Sequence, residues 1–155
     1  MQLEMDSRKR ILSGLVWSIP PFLLMSLIWF LSSIPMDTAS GLSGFVMSIE
    51  PGLQNLLHLP LFGLLACLWL SLLSRSGIPR WSAFVLSGLF ATIYGCLDEY
   101  HQTFVAGRYG SLGDLLLDMG GALLGLLLMW TTEKRTLSFG DAMTRIFGWV
   151  PFIKW

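Results

Sequence analysis

The sequence predicts an all-α integral membrane protein, a four-helix bundle with N- and C-termini in the cytoplasm and an amphipathic C-terminal tail. Three observations lead there. Of the 155 residues only 13% are charged and 54% are hydrophobic, whereas a soluble domain carries about a quarter charged residues. The apolar residues collect in four runs, each near the roughly 20 residues a helix needs to cross the hydrocarbon core. Once those runs are drawn as spans, nine of the ten basic residues fall on one side. The length allows one domain. It divides into a cytoplasmic N-terminal segment (1–10), a four-helix transmembrane domain (11–130) and a cytoplasmic interfacial tail (131–155). A pI near 6.7 leaves no basic footprint for nucleic acid.

The first span runs from Ile11 to Leu31. It follows Arg8, Lys9 and Arg10, as a signal peptide would, but its apolar stretch exceeds the about 7–15 residues usual there and no small-x-small cleavage site follows. It therefore reads as an uncleaved anchor. Pro20 and Pro21 inside it are expected to kink it, which lipid-buried helices tolerate. Residues 36–52, rich in Ser and Gly with Pro51 near the end, read as an irregular or interfacial connection. The second span covers roughly Leu56 to Leu73, and Arg75-Ser-Gly-Ile-Pro-Arg80 is a tight turn. The third runs from Trp81 to Leu97 and the fourth from Leu112 to Trp130. Trp17, Trp29, Trp69, Trp81 and Trp130 lie toward span ends, where amphipathic rings favour the interface. Beyond them, residues 139–155 mix Phe147, Trp149, Phe152 and Trp155 with Arg145 and Lys154, a composition suited to lying on an anionic leaflet. Cys67 and Cys96 fall inside apolar runs and read as small packing residues.

Orientation follows from Lys and Arg in short loops. With the N-terminus inside, the cytoplasmic segments hold Arg8, Lys9, Arg10, Arg75, Arg80, Lys134, Arg135, Arg145 and Lys154, and the outer segments hold only Arg108. The predicted location is the bacterial cytoplasmic membrane, multi-pass, with loops 32–55 and 98–111 facing outward.

Ionisable side chains inside spans are costly and are functional candidates by default. His58 stands one turn into the second span. Asp98, Glu99, His101 and Gln102 sit where the third span reaches the outer surface, Arg108 in the loop that follows, and Asp114 and Asp118 in the outer half of the fourth span. Asp114, Asp118, Gly121 and Gly125, spaced 4, 3 and 4, share one helical stripe; Gly88, Thr92, Gly95 and Glu99 make the same stripe on the third span. Packing the two stripes together, as small-xxx-small contacts allow, directs Glu99, Asp114 and Asp118 inward, with Asn55 and His58 approaching from the second span. His58 reads as a metal ligand, a general base or a donor holding a carboxylate, beside a plain structural hydrogen bond. Asp118, about two turns deep, is expected to be protonated or paired, or to tie helices together. Asp98 and Glu99, near the surface, are expected to be solvated. Arg108 either clamps a phosphate or carboxylate through its planar fork or neutralises Asp98 or Glu99. Two histidines and four carboxylates are enough ligands for a divalent ion. Yet no HExxH, paired cysteines or D-x-D spacing occurs, so no cofactor is expected. Nor is there a Gly-rich phosphate loop or a G-x-S-x-G elbow, which leaves a serine nucleophile unsupported.

The run Asp98-Glu99-Tyr100-His101-Gln102-Thr103-Phe104-Val105-Ala106-Gly107-Arg108, followed by Ser111, Asp114, Asp118 and Gly121-x-x-x-Gly125, resembles the VanZ-like family. That family is named for a membrane protein associated with teicoplanin resistance. Leu31-Ser32-Ser33 and His58 also fit its pattern, and the resemblance covers about residues 15–130. Gln54 and Asn55 depart from it where members often carry a basic residue, and Asp118 stands where many carry asparagine. The resemblance implies a small four-helix membrane protein in cell-envelope biology and no particular chemistry.

Two functions fit these residues. In the first, the outer cluster, with Gln102, Arg108, Ser111 and Asp118 as ligand-binding residues, engages a membrane lipid, a lipid-linked envelope precursor or an envelope partner and lowers glycopeptide susceptibility. In the second, a membrane-embedded hydrolase or transferase acts on a lipid-linked substrate with His58, Asp98, Glu99, His101, Arg108 and Asp114 as catalytic candidates. A carboxylate or histidine would then be general base, and Arg108 would stabilise anionic charge. The helix-packing glycines Gly88, Gly95, Gly121 and Gly125 serve either one bundle or a homo-oligomer.

Overall fold

The computed structural model describes residues 2–37 and 41–133, and the side chains of 15–37, 41–50 and 52–131. The expected amphipathic tail at 139–155 lies outside the described residues. The chain forms six helices: α1 (Gln2–Ser32), α2 (Gly41–Met47), α3 (Pro51–Leu56), α4 (His58–Arg75), α5 (Arg80–Gln102) and α6 (Leu112–Glu133). No strand occurs among the described residues. Four apolar stretches, Leu15–Ser32, Gly52–Arg75, Arg80–Gln102 and Leu112–Thr131, are long and apolar enough to cross a membrane.

The long helices alternate in direction. At one end, α1 and α5 finish while α4 and α6 begin, tied by Ser32 to Asp98 and by His58 to Asp118. At the other end Arg75 lies over the Trp17 ring and Arg80 over Trp130, each 3.9 Å from the centroid. The core is narrow and built largely of small or branched residues, among them Leu24, Ile28, Leu65, Ala66, Ala91 and Ala122 around Phe62. Outside it, Leu23, Leu64, Trp81, Leu116, Leu123 and Leu128 are exposed. A bundle apolar on its outside as well as its inside is built for lipid, because water would not tolerate so continuous an apolar surface.

The closest helix pair is α4 with α6, and its glycines explain why. A Cβ on Gly121 would collide with the backbone of Leu59, and one on Gly125 with the backbone of Gly63. The two helices run parallel in constant register, Leu59 against Gly121 and Gly63 against Gly125. The expected pairing of the third- and fourth-span stripes is therefore corrected: the α6 glycines receive α4. On α5, Gly88 faces the Leu126 side chain, and Gly95 makes room for Asp118 and Phe62. The reason is a small residue on both sides: Gly63 lets the α4 backbone meet Gly125 directly, whereas on α5 the gap at Gly88 is taken by the Leu126 side chain.

Other boundaries also moved. α1 continues as one helix through Pro20 and Pro21. The connection at 36–52 carries α2 and the start of α3, where Glu50 accepts the Leu53 N–H at 2.9 Å as N-cap and Pro51 opens the first turn. α5 runs on to Gln102, five residues past the expected end. Trp69 is no interface anchor; it packs between Phe22 and Phe90, and its buried Nε1 has no partner among the described residues. Both cysteines are free, and Cys96 is exposed rather than packed inside.

This packing separates adjacent glycines. Gly121→Ala should destabilise the bundle by about 1–3 kcal/mol through overpacking, whereas Gly120→Ala, which meets nothing within 4 Å, should be neutral. Reversible unfolding in mixed micelles measures both.

Candidate functional site

The polar end is assembled seam by seam, beginning with α1 against α5. Asp98, Glu99 and Gln102 lie within one helical turn on a single face of α5, and all three are buried. A buried carboxylate needs donors on every side. Ser32 Oγ, from the last turn of α1, donates to Asp98 Oδ1 at 2.6 Å. The Gln102 amide splits its donors between Asp98 Oδ2 and Glu99 Oε1, both at 3.2 Å. The neighbouring Ser33 donates to Trp29 O at 2.6 Å and meets His101 Nε2 at 2.9 Å. The hydroxyl has one proton, so Nε2 carries its own and donates to Ser33. His101 also stacks on Trp29, with centroids 3.8 Å apart. The Ser-Ser pair ending the first span thus exists to receive the Asp and His of the third. The expectation of solvated Asp98 and Glu99 is overturned, at 1% and 7% exposure, because α5 extends far enough to carry them into the bundle.

The loop between α5 and α6 clasps the end of α1. Gly107 has φ +74, and a Cβ there would collide with the Met36–Asp37 backbone, so only glycine allows the approach. The contact is closed by the Met36 N–H donating to Ala106 O at 2.9 Å. Arg108 then reaches back: Nε donates to Ile34 O at 3.0 Å and Nη2 to Leu31 O at 2.9 Å. Those carbonyls lie at and just beyond the helix C-terminus, where intrahelical partners run out. Neither a direct pair with Asp98 nor one with Glu99 forms; the fork is a cap. Burial pulls the Arg108 guanidinium below its ordinary pKa, while Asp98 and Glu99 act through space to hold it up.

The third seam joins α4, α5 and α6. His58 Nδ1 donates to Asp118 Oδ1 at 2.8 Å, and Asp118 is fully buried. Asp118 fits only because position 95 is glycine, where a Cβ would stand 2.8 Å from its Oδ2. That Oδ2 has no hydrogen-bond partner among the described residues. Ser111 caps α6, its Oγ accepting the Asp114 N–H at 3.3 Å. In a capping box the acidic side chain three residues on would return to the cap's own N–H. Here Glu99 Oε2 takes that Ser111 N–H at 2.6 Å, and the Asp114 carboxylate has no hydrogen bond to any described residue. One ligand atom each from His58, Glu99 and Asp114 lies within 4.8 Å of the other two.

These seams border an open cleft of about 640 Å³. Ser32, His58, Asp98, Gln102, Arg108 and Asp114 supply most of its polar lining, and Ile28, Leu31, Leu42, Phe45, Val46 and Ile49 much of its apolar lining. Gln54 and Asn55 also border it. Gln54 ties down the apolar lining from α2, its Nε2 donating to Val46 O at 3.0 Å and Ile49 O at 2.8 Å. His101, Glu99, Ser111 and Asp118 stand behind the cleft surface, where they orient its lining. The sequence reading missed this apolar lining. Its signal was present: Leu42, Phe45, Val46 and Ile49 recur at the spacing of one helical face, hidden by the surrounding Ser and Gly.

The Ser32–Asp98 contact should behave as a buried charge-assisted bond. A double-mutant cycle with Ser32→Ala and Asp98→Asn is expected to give a coupling energy of about 1.5–3 kcal/mol, measured by thermal or denaturant unfolding in detergent.

No curated protein and no solved structure matches the chain. The sequence model of the VanZ/LLP1 family matches residues 17–133, from the described part of α1 to the end of α6. With the serine pair, the Asp-Glu-x-His-Gln run, the Gly-Arg clasp and the α6 stripe each given a structural role within that match, the chain belongs to the VanZ/LLP1 family.

Proposed function

We propose that this protein sits in the bacterial cytoplasmic membrane and binds the headgroup of a membrane lipid or lipid-linked envelope precursor from the outer leaflet. Occupancy of the cleft then lowers susceptibility to glycopeptides acting on that surface. The observation that carries this reading is the cleft's mixed lining, in which fixed polar groups share one cavity with apolar side chains from α1, α2 and the start of α4. A lipid is the ligand that presents both chemistries at one point, a polar head joined to a hydrocarbon chain. Arg108 spends two of its N–H groups on carbonyls, so the rest of its fork remains for an anionic group. The outward orientation is supported by the basic residues, since Arg75 and Arg80 stand at the opposite end from Arg108. The binding reading is favoured over the enzyme reading because Asp98 has both oxygens engaged, one by Ser32 of α1 and one by Gln102 of its own helix.

Native mass spectrometry of the purified protein should find a co-purifying lipid, and Val46→Glu, which puts a charge in the apolar lining, should remove it while the protein stays folded. A lipid-free wild type would count against the reading. Orientation is tested separately. In a Cys67→Ala, Cys96→Ala background, Tyr109→Cys, at a position 85% exposed, should react with a membrane-impermeant thiol reagent on intact cells, whereas Ser76→Cys should not. Loss of teicoplanin protection in cells expressing Val46→Glu, relative to wild type, connects the site to the drug.

A further inference from the structure

We infer that His58, Glu99 and Asp114 form a binding site for a divalent transition-metal ion, Zn²⁺ or Mn²⁺, at the polar end of the bundle. The three residues come from α4, α5 and α6, so no local spacing announces them. One ring nitrogen of His58 and one carboxylate oxygen each of Glu99 and Asp114 already lie within 4.8 Å of one another. Metal–ligand lengths of about 2.0–2.2 Å put neighbouring ligands on a tetrahedral ion about 3.3 Å apart. The Asp114 carboxylate, which no described residue holds, would turn to close that gap.

Four features beyond proximity argue for a metal. The set combines a nitrogen with two carboxylates, a donor mixture suited to Zn²⁺ or Mn²⁺. His58 is held as a metal-ligating histidine is held: Nδ1 donates to the fully buried Asp118 at 2.8 Å, which fixes the ring and leaves Nε2 as the nitrogen open to a cation. Glu99 is oriented by the Ser111 N–H on one oxygen and Gln102 on the other, and each oxygen keeps a further lone pair. Asp114 is free for ligation because Glu99, by taking the Ser111 N–H, displaces it from the capping box.

Charge favours the same conclusion. Glu99 is 7% exposed and Asp114 is part-buried beside it, and two adjacent carboxylates repel strongly where the dielectric is low. A dication with a neutral imidazole and two carboxylates makes a site of zero net charge, with coordination positions left over. Asp114 and His58 line the cleft, so those positions face it. That they would take a phosphate oxygen of a headgroup rests on the preceding reading; the metal site itself does not.

The test uses the full chain in detergent, with any affinity tag removed, titrated with Zn²⁺ or Mn²⁺ and assayed by calorimetry and elemental analysis after desalting. Wild type should bind about one ion per chain and gain thermal stability by mass action. Asp114→Asn, which breaks no hydrogen bond of the fold and relieves the repulsion with Glu99, should lose that binding and the stabilisation while its metal-free melting temperature stays at or above the wild-type value. Asp118→Asn acts through His58 and should weaken affinity about 10–100-fold. Glu50→Gln, remote from the three ligands, should change nothing. Absence of saturable binding in the wild type, or retention of full affinity in Asp114→Asn, overturns the proposal. Because no lipid is added, failure here leaves the headgroup reading standing, and success does not establish it.

Discussion

Two backbones in direct contact set the geometry of everything else. Where Leu59 meets Gly121 and Gly63 meets Gly125, α4 and α6 approach as closely as helices can, with no side chain on α6 to hold them apart. Dispersion contacts between helices are the main source of affinity in a medium as apolar as the side chains themselves, and close backbones maximise them. The same contact sets the register of α4 on α6. It places His58, at the start of α4, against Asp118, almost two turns into α6. Shift that register by one residue and the imidazole loses its carboxylate.

The polar end then follows from a second constraint: in a low-dielectric setting each buried polar group must find a partner within the protein. Asp98 is satisfied by α1 and by its own helix, Glu99 by Gln102 and the cap residue of α6. Arg108 gives Ile34 O a donor and adds a second to Leu31 O, which also accepts the Ile34 N–H. The bonds of Ser32, Ser111 and Arg108 each join two elements, so the network serves as the bundle's fastening at this end. Tyr94, donating to Met25 O, adds another tie between α5 and α1. At the opposite end the fastening is different in kind, with Arg75 and Arg80 lying on tryptophan rings.

This division separates groups that hold the fold from groups that remain for a ligand. Asp98, Gln102 and the bonded half of the Arg108 fork are occupied. The Asp114 carboxylate, the second nitrogen of His58 and the remaining Arg108 donors are not, and all three residues line the cleft. In the same cleft α2 contributes apolar lining, tied down by Gln54, which is bonded to two carbonyls at and beyond the α2 C-terminus. The cleft is thus a property of short connecting elements as much as of the spans.

The number, order and approximate limits of the four spans were legible in the sequence, because a run of about 20 apolar residues is a length matched to a solvent and needs no knowledge of neighbours. The gathering of His58, Asp98, Glu99, Arg108, Asp114 and Asp118 at one end was legible too, since alternating spans place them there by direction alone. The family was readable for the same reason, as its motif residues sit close together along the chain. What each of them touches was decided by tertiary structure. Helical spacing shows that Gly121 and Gly125 share a face, but not that the face meets α4, because the partner's own small residue, Gly63, lies outside either stripe. It places Asp98 near a span end, but not in the core, since α5 continues only where Ser32 and Gln102 supply hydrogen bonds. Arg108 looked like a charge in search of an anion and became a cap, because its partners are backbone carbonyls that carry no mark in the sequence.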